Sequence, residues 1–166
     1  MIRALLLLLV ATPVAATAPE WAMPALASGL AAHRAQDYPR ALSQFRRLAG
    51  QGSAIAETML GAMHARGQGV PKDPATAATW WLRAANRGYP PAQLALAEAF
   101  ADGRGVGRDR DAAWVWARLA ATHGDTPTAA SASALAAKLA RGLDAAKLAE
   151  LDRRRVGWRP WATLPG

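Results

Sequence analysis

From residue 53 to residue 124 the apolar positions recur three and four apart in short stretches, and each stretch ends at a glycine. In residues 54–66, Ala56, Met59, Leu60 and Met63 fall on one face of a helix, and in residues 92–102, Ala92, Leu96, Ala99 and Phe100 do the same. Two further stretches, residues 74–87 and their counterpart up to Gly124, carry Ala77, Trp80, Trp81, Ala84 and Ala85, then Trp116, Ala120 and Ala121, again at helical spacing. Four helices in two pairs are predicted.

The two pairs repeat each other. Residues 53–88 and 89–124 align without a gap at an offset of 36 and agree at twelve positions. Five are alanines; the other seven are Leu60/Leu96, Gly67/Gly103, Gly69/Gly105, Val70/Val106, Asp73/Asp109, Trp80/Trp116 and Gly88/Gly124, types that a backbone or a core would demand. Each type has a physical task. Gly67 and Gly103 can take the left-handed conformation that ends a helix, Val70 can tuck back as an apolar plug, and Asp73 can accept the first free amides of the next helix, which Pro74 opens. Large Trp80 and Trp116 beside small Ala84-Ala85 and Ala120-Ala121 predict close helix approach, with a cost of about 3 to 5 kcal/mol for Trp80→Ala.

A degraded copy spans residues 22–52: Asp37, Ala41, Ala49 and Gly52 lie 36 before Asp73, Ala77, Ala85 and Gly88, and Phe45 stands at the place of Trp81. Its first helix, about residues 24–35, joins through the shorter Gln36-Asp37-Tyr38-Pro39. Residues 126–166 have the shape of a further pair without its sequence, with Leu135, Leu139 and Leu143 on one helix and Asp144 capping another that carries Leu148 and Leu151. Atypical end units are expected of a solenoid.

The strings at residues 60–70 and 80–88 resemble the Sel-one-like repeat, a 36-residue relative of the tetratricopeptide repeat. His64 and Phe100 stand where that family has Tyr, and Ala97 replaces the Gly seen at Gly61; both are taken as packing adjustments. The resemblance implies an all-α, right-handed solenoid of about eight short helices that acts as an interaction scaffold or regulator, binding a protein through the first helix of each pair. Candidate groove residues are those the apolar pattern leaves unclaimed: Glu57, Arg66, Gln93, Glu98 and Asp102. An extended peptide or a helix suits such a surface.

Composition narrows where this happens. Arg3, the apolar run from Ala4 to Val10 and the small residues up to Ala16 read as an export signal at residues 1–16, so a periplasmic or secreted protein is expected. That run is far shorter than a membrane span. With no cysteine in the chain, stability must come from packing, and thiolate metal sites are excluded. Twenty Lys and Arg against twelve Asp and Glu make the chain basic, which for an exported protein points away from nucleic acid and toward an acidic protein or an anionic envelope polymer, peptidoglycan or lipopolysaccharide. Arg153, Arg154, Arg155, Trp158 and Arg159 form a cationic, aromatic tail that either docks an anion or folds back, with Trp161, over the last helices.

Little else suggests chemistry. Gly67-x-Gly69 and Gly103-x-Gly105 follow no strand and lack the Gly-Lys-Ser/Thr ending of a phosphate loop, so they read as turns. His33, His64 and His123 have no carboxylate at ligand spacing. The family resemblance brings β-lactam binding or hydrolysis into view as a minor alternative. However, no serine is followed three residues later by Lys, and Ser43, Ser53, Ser131 and Ser133 have no activating neighbour in sequence. No enzyme activity, cofactor or metal is expected.

Overall fold

A computed structural model describes residues 23–158; the proposed signal, Arg159 and Trp161 lie outside them. Among the described residues there are eight helices and no strand: α1 (Met23–Arg34), α2 (Tyr38–Gly50), α3 (Ala54–Arg66), α4 (Pro74–Asn86), α5 (Pro90–Asp102), α6 (Arg110–His123), α7 (Thr126–Ala140) and α8 (Ala145–Gly157). α1 packs on α2, α3 on α4 and α5 on α6, and each pair stacks on the next to form an α-solenoid.

The turns form as their residues dictate. Gly67 and Gly103 both end their helices at φ 72°, with their amides bonded to the carbonyls of Met63 and Ala99. Asp37, Asp73, Asp109, Asp125 and Asp144 each accept backbone amides at the start of a helix. The second glycine of each turn serves stacking. A Cβ on Gly69 would lie 2.6 Å from Cβ of Tyr38, and one on Gly105 would lie 1.9 Å from the carbonyl oxygen of Pro74. Tyr38 and Pro74 open the second helices of the preceding pairs, so each turn closes directly onto the pair before it. At the next step Arg110, which opens α6, donates to the carbonyls of Leu139 and Arg141 at the end of α7.

The valines that follow those glycines part company. Val70 packs against the apolar cluster that holds Leu42 and Phe45, with Tyr38 in the same group, and so acts as the plug its position suggests. Val106, the matching residue of the second repeat, does not: it is only half-buried and belongs to none of the apolar clusters among the described residues. The reason lies in the preceding pair. Thirty-six residues after Tyr38 and Leu42 stand Pro74 and Ala78, which are too short to offer Val106 an apolar surface.

The core is built mostly of alanine and leucine, with Phe45, Leu48, Leu60, Met63, Leu96 and Leu151 the largest fully buried apolar side chains. Trp80 also differs from expectation. It is only half-buried, with the Arg83 guanidinium 4.6 Å from its ring, and the indole that is buried is Trp114. The two ends of the solenoid are unlike each other. α7 and α8 do not pack as the earlier pairs do; both lean on α6.

Candidate functional site

Of the candidate groove residues, two prove to be interior. Glu57 and Gln93 occupy the same repeat position and are both fully buried, so neither is available to a partner. Glu57 accepts from Arg87 Nε at 3.1 Å and lies 3.1 Å from Arg83 Nη2, locking α3 to the end of α4. Gln93 instead donates its amide to the Ala85 carbonyl at 3.3 Å, because the residues equivalent to Arg83 and Arg87 are Leu119 and His123 and offer α6 no such pair of cations. The apolar pattern left position 57 unclaimed because a polar residue there mimics a solvent-facing one; the signal that could have placed it is the matched change at residues 83 and 87.

The remaining candidates are exposed: Arg66, Glu98 and Asp102. Asp102 and Glu98 both face Arg104, at 3.1 and 3.8 Å. Half of the Glu98 side chain stays exposed, and desolvation of the rest pushes its carboxyl up, against the lowering effect of Arg104. Beside these charges runs a half-buried stripe, Ile55, Met59 and Ala62 on α3 and Leu94 and Ala95 on α5. Position 66 recurs as Asp102 and Lys138, and all three side chains are exposed.

In the basic tail, Arg153 and Arg154 are exposed, whereas Arg155 binds Asp152 at 2.8 Å. Trp158 packs edge-on against Trp116, ring centroids 5.7 Å apart, so this part of the tail folds back. Every carboxylate among the described residues has internal work: five cap helices, Glu57 holds two arginines, Glu98 and Asp102 face Arg104, Asp111 and Glu150 bind Lys147, and Asp152 binds Arg155. By contrast Arg34, Arg66, Lys138, Arg153 and Arg154 form no ion pair within the described residues. Among those residues, no three His, Asp or Glu side chains gather as metal ligands, and no helix is long and apolar enough to cross a membrane.

Stacked helix pairs, a fixed glycine turn and a half-buried first-helix stripe define a helical-repeat solenoid. The Sel1 repeat family profile matches residues 54–89 and 90–125. The profile thus places two Sel1 repeats in this chain. It is similar to c5321, a protective antigen of uropathogenic Escherichia coli strains displaying an SLR fold, with TM-score 0.74 and 28% identity over 84% of this chain and 30% of that one. It also shares its fold with a Sel1 repeat protein from Oxalobacter formigenes, with TM-score 0.61 and 24% identity over 78% of this chain and 57% of the other. The chain thus spans less than two thirds of either. No curated protein matches it significantly.

Proposed function

We propose that this chain is an exported scaffold whose first-helix stripe binds a segment of another protein. Proteins built of Sel1 repeats are generally non-catalytic interaction scaffolds. The observation that carries the reading is the stripe from Ile55 to Ala62 and from Leu94 to Ala95, apolar, half-exposed and edged at matching positions by Arg66 and Asp102. Its apolar centre supplies affinity and its charged edge sets register.

Two experiments test this. The amino terminus of the protein recovered from the cell envelope should begin at Thr17; retention of residues 1–16 in a cytoplasmic product would overturn the export reading. A photocrosslinker at Ala62 or at Ala95 should trap the same protein, and Arg66→Glu should abolish both adducts without loss of helicity. The second reading, an anionic envelope polymer, is supported by the cations that no carboxylate neutralises. Under it, glycan rather than protein would be trapped, and binding would collapse as salt rises.

A further inference from the structure

Each first helix leaves one line of side chains uncovered, at places four, three and four residues apart that share one side of the helix. On α3 the line is Ile55, Met59, Ala62 and Arg66, and on α5 it is Pro91, Ala95, Glu98 and Asp102, all half-buried or exposed. α1 joins the series at an offset of 32, which its packing fixes: Gly29 lies under Phe45 as Gly61 lies under Trp81. Its line is therefore Met23, Ala27, Leu30 and Arg34, none of them buried. On α7 the line ends at the exposed Lys138.

The last places of the four lines carry Arg, Arg, Asp and Lys in turn. The C-terminus of a helix favours a cation, which suits Arg34, Arg66 and Lys138, but the same field disfavours the carboxylate of Asp102. Helix ends alone would not produce this order. Arg34 and Arg66 form no ion pair within the described residues, so α1 and α3 present free positive charge beside their apolar places. On α5, Arg104 faces Asp102 at 3.1 Å and Glu98 at 3.8 Å, and Arg108 is turned aside onto the Ala101 carbonyl. The line itself thus shows two carboxylates close together, and the Glu98 carboxyl, raised first by desolvation, is raised further by Asp102. A cation arriving there relieves that repulsion.

We propose that the stripe receives an extended segment of another protein in the polyproline II conformation, acidic at i and i+3, basic at i+6 and apolar between. The inference rests on the stripe being a docking surface and adds the chemistry of its occupant. Packed helices lie about 8 to 10 Å apart. A polyproline II chain has three residues per turn and advances about 9 Å in that turn, so every third side chain meets the same place on the next first helix. A β-strand would turn alternate side chains away. The two carboxylates then meet Arg34 and Arg66, and the cation meets Glu98 and Asp102. α3 and α5 touch each other directly, so one extended chain reaches both lines across a shallow surface.

The probes are two peptides of one composition, Pro and Leu with charged residues at every third place, in the order Glu-Glu-Lys or Glu-Lys-Glu. Each is titrated at low salt into the isotope-labelled mature chain and followed by amide NMR shifts. Shifts should fall on Arg34, Met59, Ala95 and Asp102, and Glu-Glu-Lys should bind about tenfold tighter than Glu-Lys-Glu. Arg66→Glu should erase that preference; Arg34→Glu serves if circular dichroism shows lost helicity. Equal binding of the two orders at the stripe, or tighter binding of a peptide with its charges seven apart, as on a helix, would overturn the proposal and leave the docking surface standing. No shift at the stripe with any of the peptides up to about 1 mM would overturn both.

Discussion

At the scale of single residues, the two repeats solve one packing problem in opposite ways. In the first, Ala78 and Trp81 face α3, whose Gly61 makes room for the ring; in the second, the equivalent residues are Trp114 and Ala117, and Gly61 becomes Ala97. The bulk has moved by three residues, nearly one turn, and the small residue opposite has grown by a methyl group in step. Trp114, with 6% of its surface exposed, therefore carries the larger energy. Trp114→Ala should lower unfolding free energy by about 3 to 5 kcal/mol. Trp80→Ala, expected from the sequence to cost as much, should lose only about 1 to 2 kcal/mol, since the ring is half-exposed. Urea unfolding of both variants checks the order; equal losses would contradict it.

Within and between elements, the polar locks matter most. Glu57 with Arg83 and Arg87 ties α3 to α4 within its pair, whereas the neutral Gln93 ties α5 back to Ala85 of α4 in the pair before it. Glu57→Ala should cost about 3 kcal/mol, toward the low end for a buried pair because both arginines keep contact with water. Transplanting the second repeat's set, Glu57→Gln with Arg83→Leu and Arg87→His, should recover most of that loss, which a thermodynamic cycle would measure. The stacking turn gives a sharper case. Gly105 has φ 77° and no space for a Cβ beside Pro74, so Gly105→Ala should destabilise by about 2 kcal/mol or more, through backbone strain and a clash together. The matching change at Gly103, also at positive φ but with its nearest neighbour at 3.3 Å, should cost less.

For the molecule as a whole, charge sets the response to pH. The Thr76 hydroxyl, then its amide, hold the Asp73 carboxyl below its usual range, and Thr128 does the same for Asp125. A carboxyl lowered by folding contributes stability that is present above its unfolded value and lost as pH falls through the lowered one. Glu98, raised chiefly by burial, has the opposite sign and offsets part of the loss. The thermal midpoint should therefore drop between about pH 5 and about pH 3, and the drop should be smaller in Asp73→Asn. At the alkaline end Lys147, raised first by its bond to Asp111, helps tie α8 to α6 until it deprotonates.

The amino-acid sequence alone determined the repeat, the helix boundaries to within two residues in the central pairs, the caps at Asp73, Asp109 and Asp144 and the left-handed Gly67 and Gly103. All of these are local: a period, a missing Cβ or a carboxylate near free amides acts within a few residues of itself. Which side chains are interior was decided only by tertiary structure. Glu57 and Gln93 look like surface residues until the ends of α4 are brought over them, and Trp80 looks like core until its solvent-facing side is seen. Val70 and Val106 are identical in their repeats, yet one is a plug and the other is not, because the pair before each offers a different surface. The same holds for α8, whose pattern reads as the closing half of a pair. Only the packing shows that it lies against α6 rather than α7, because which helix an apolar face covers depends on what lies opposite, and that is a property of neighbours distant along the chain.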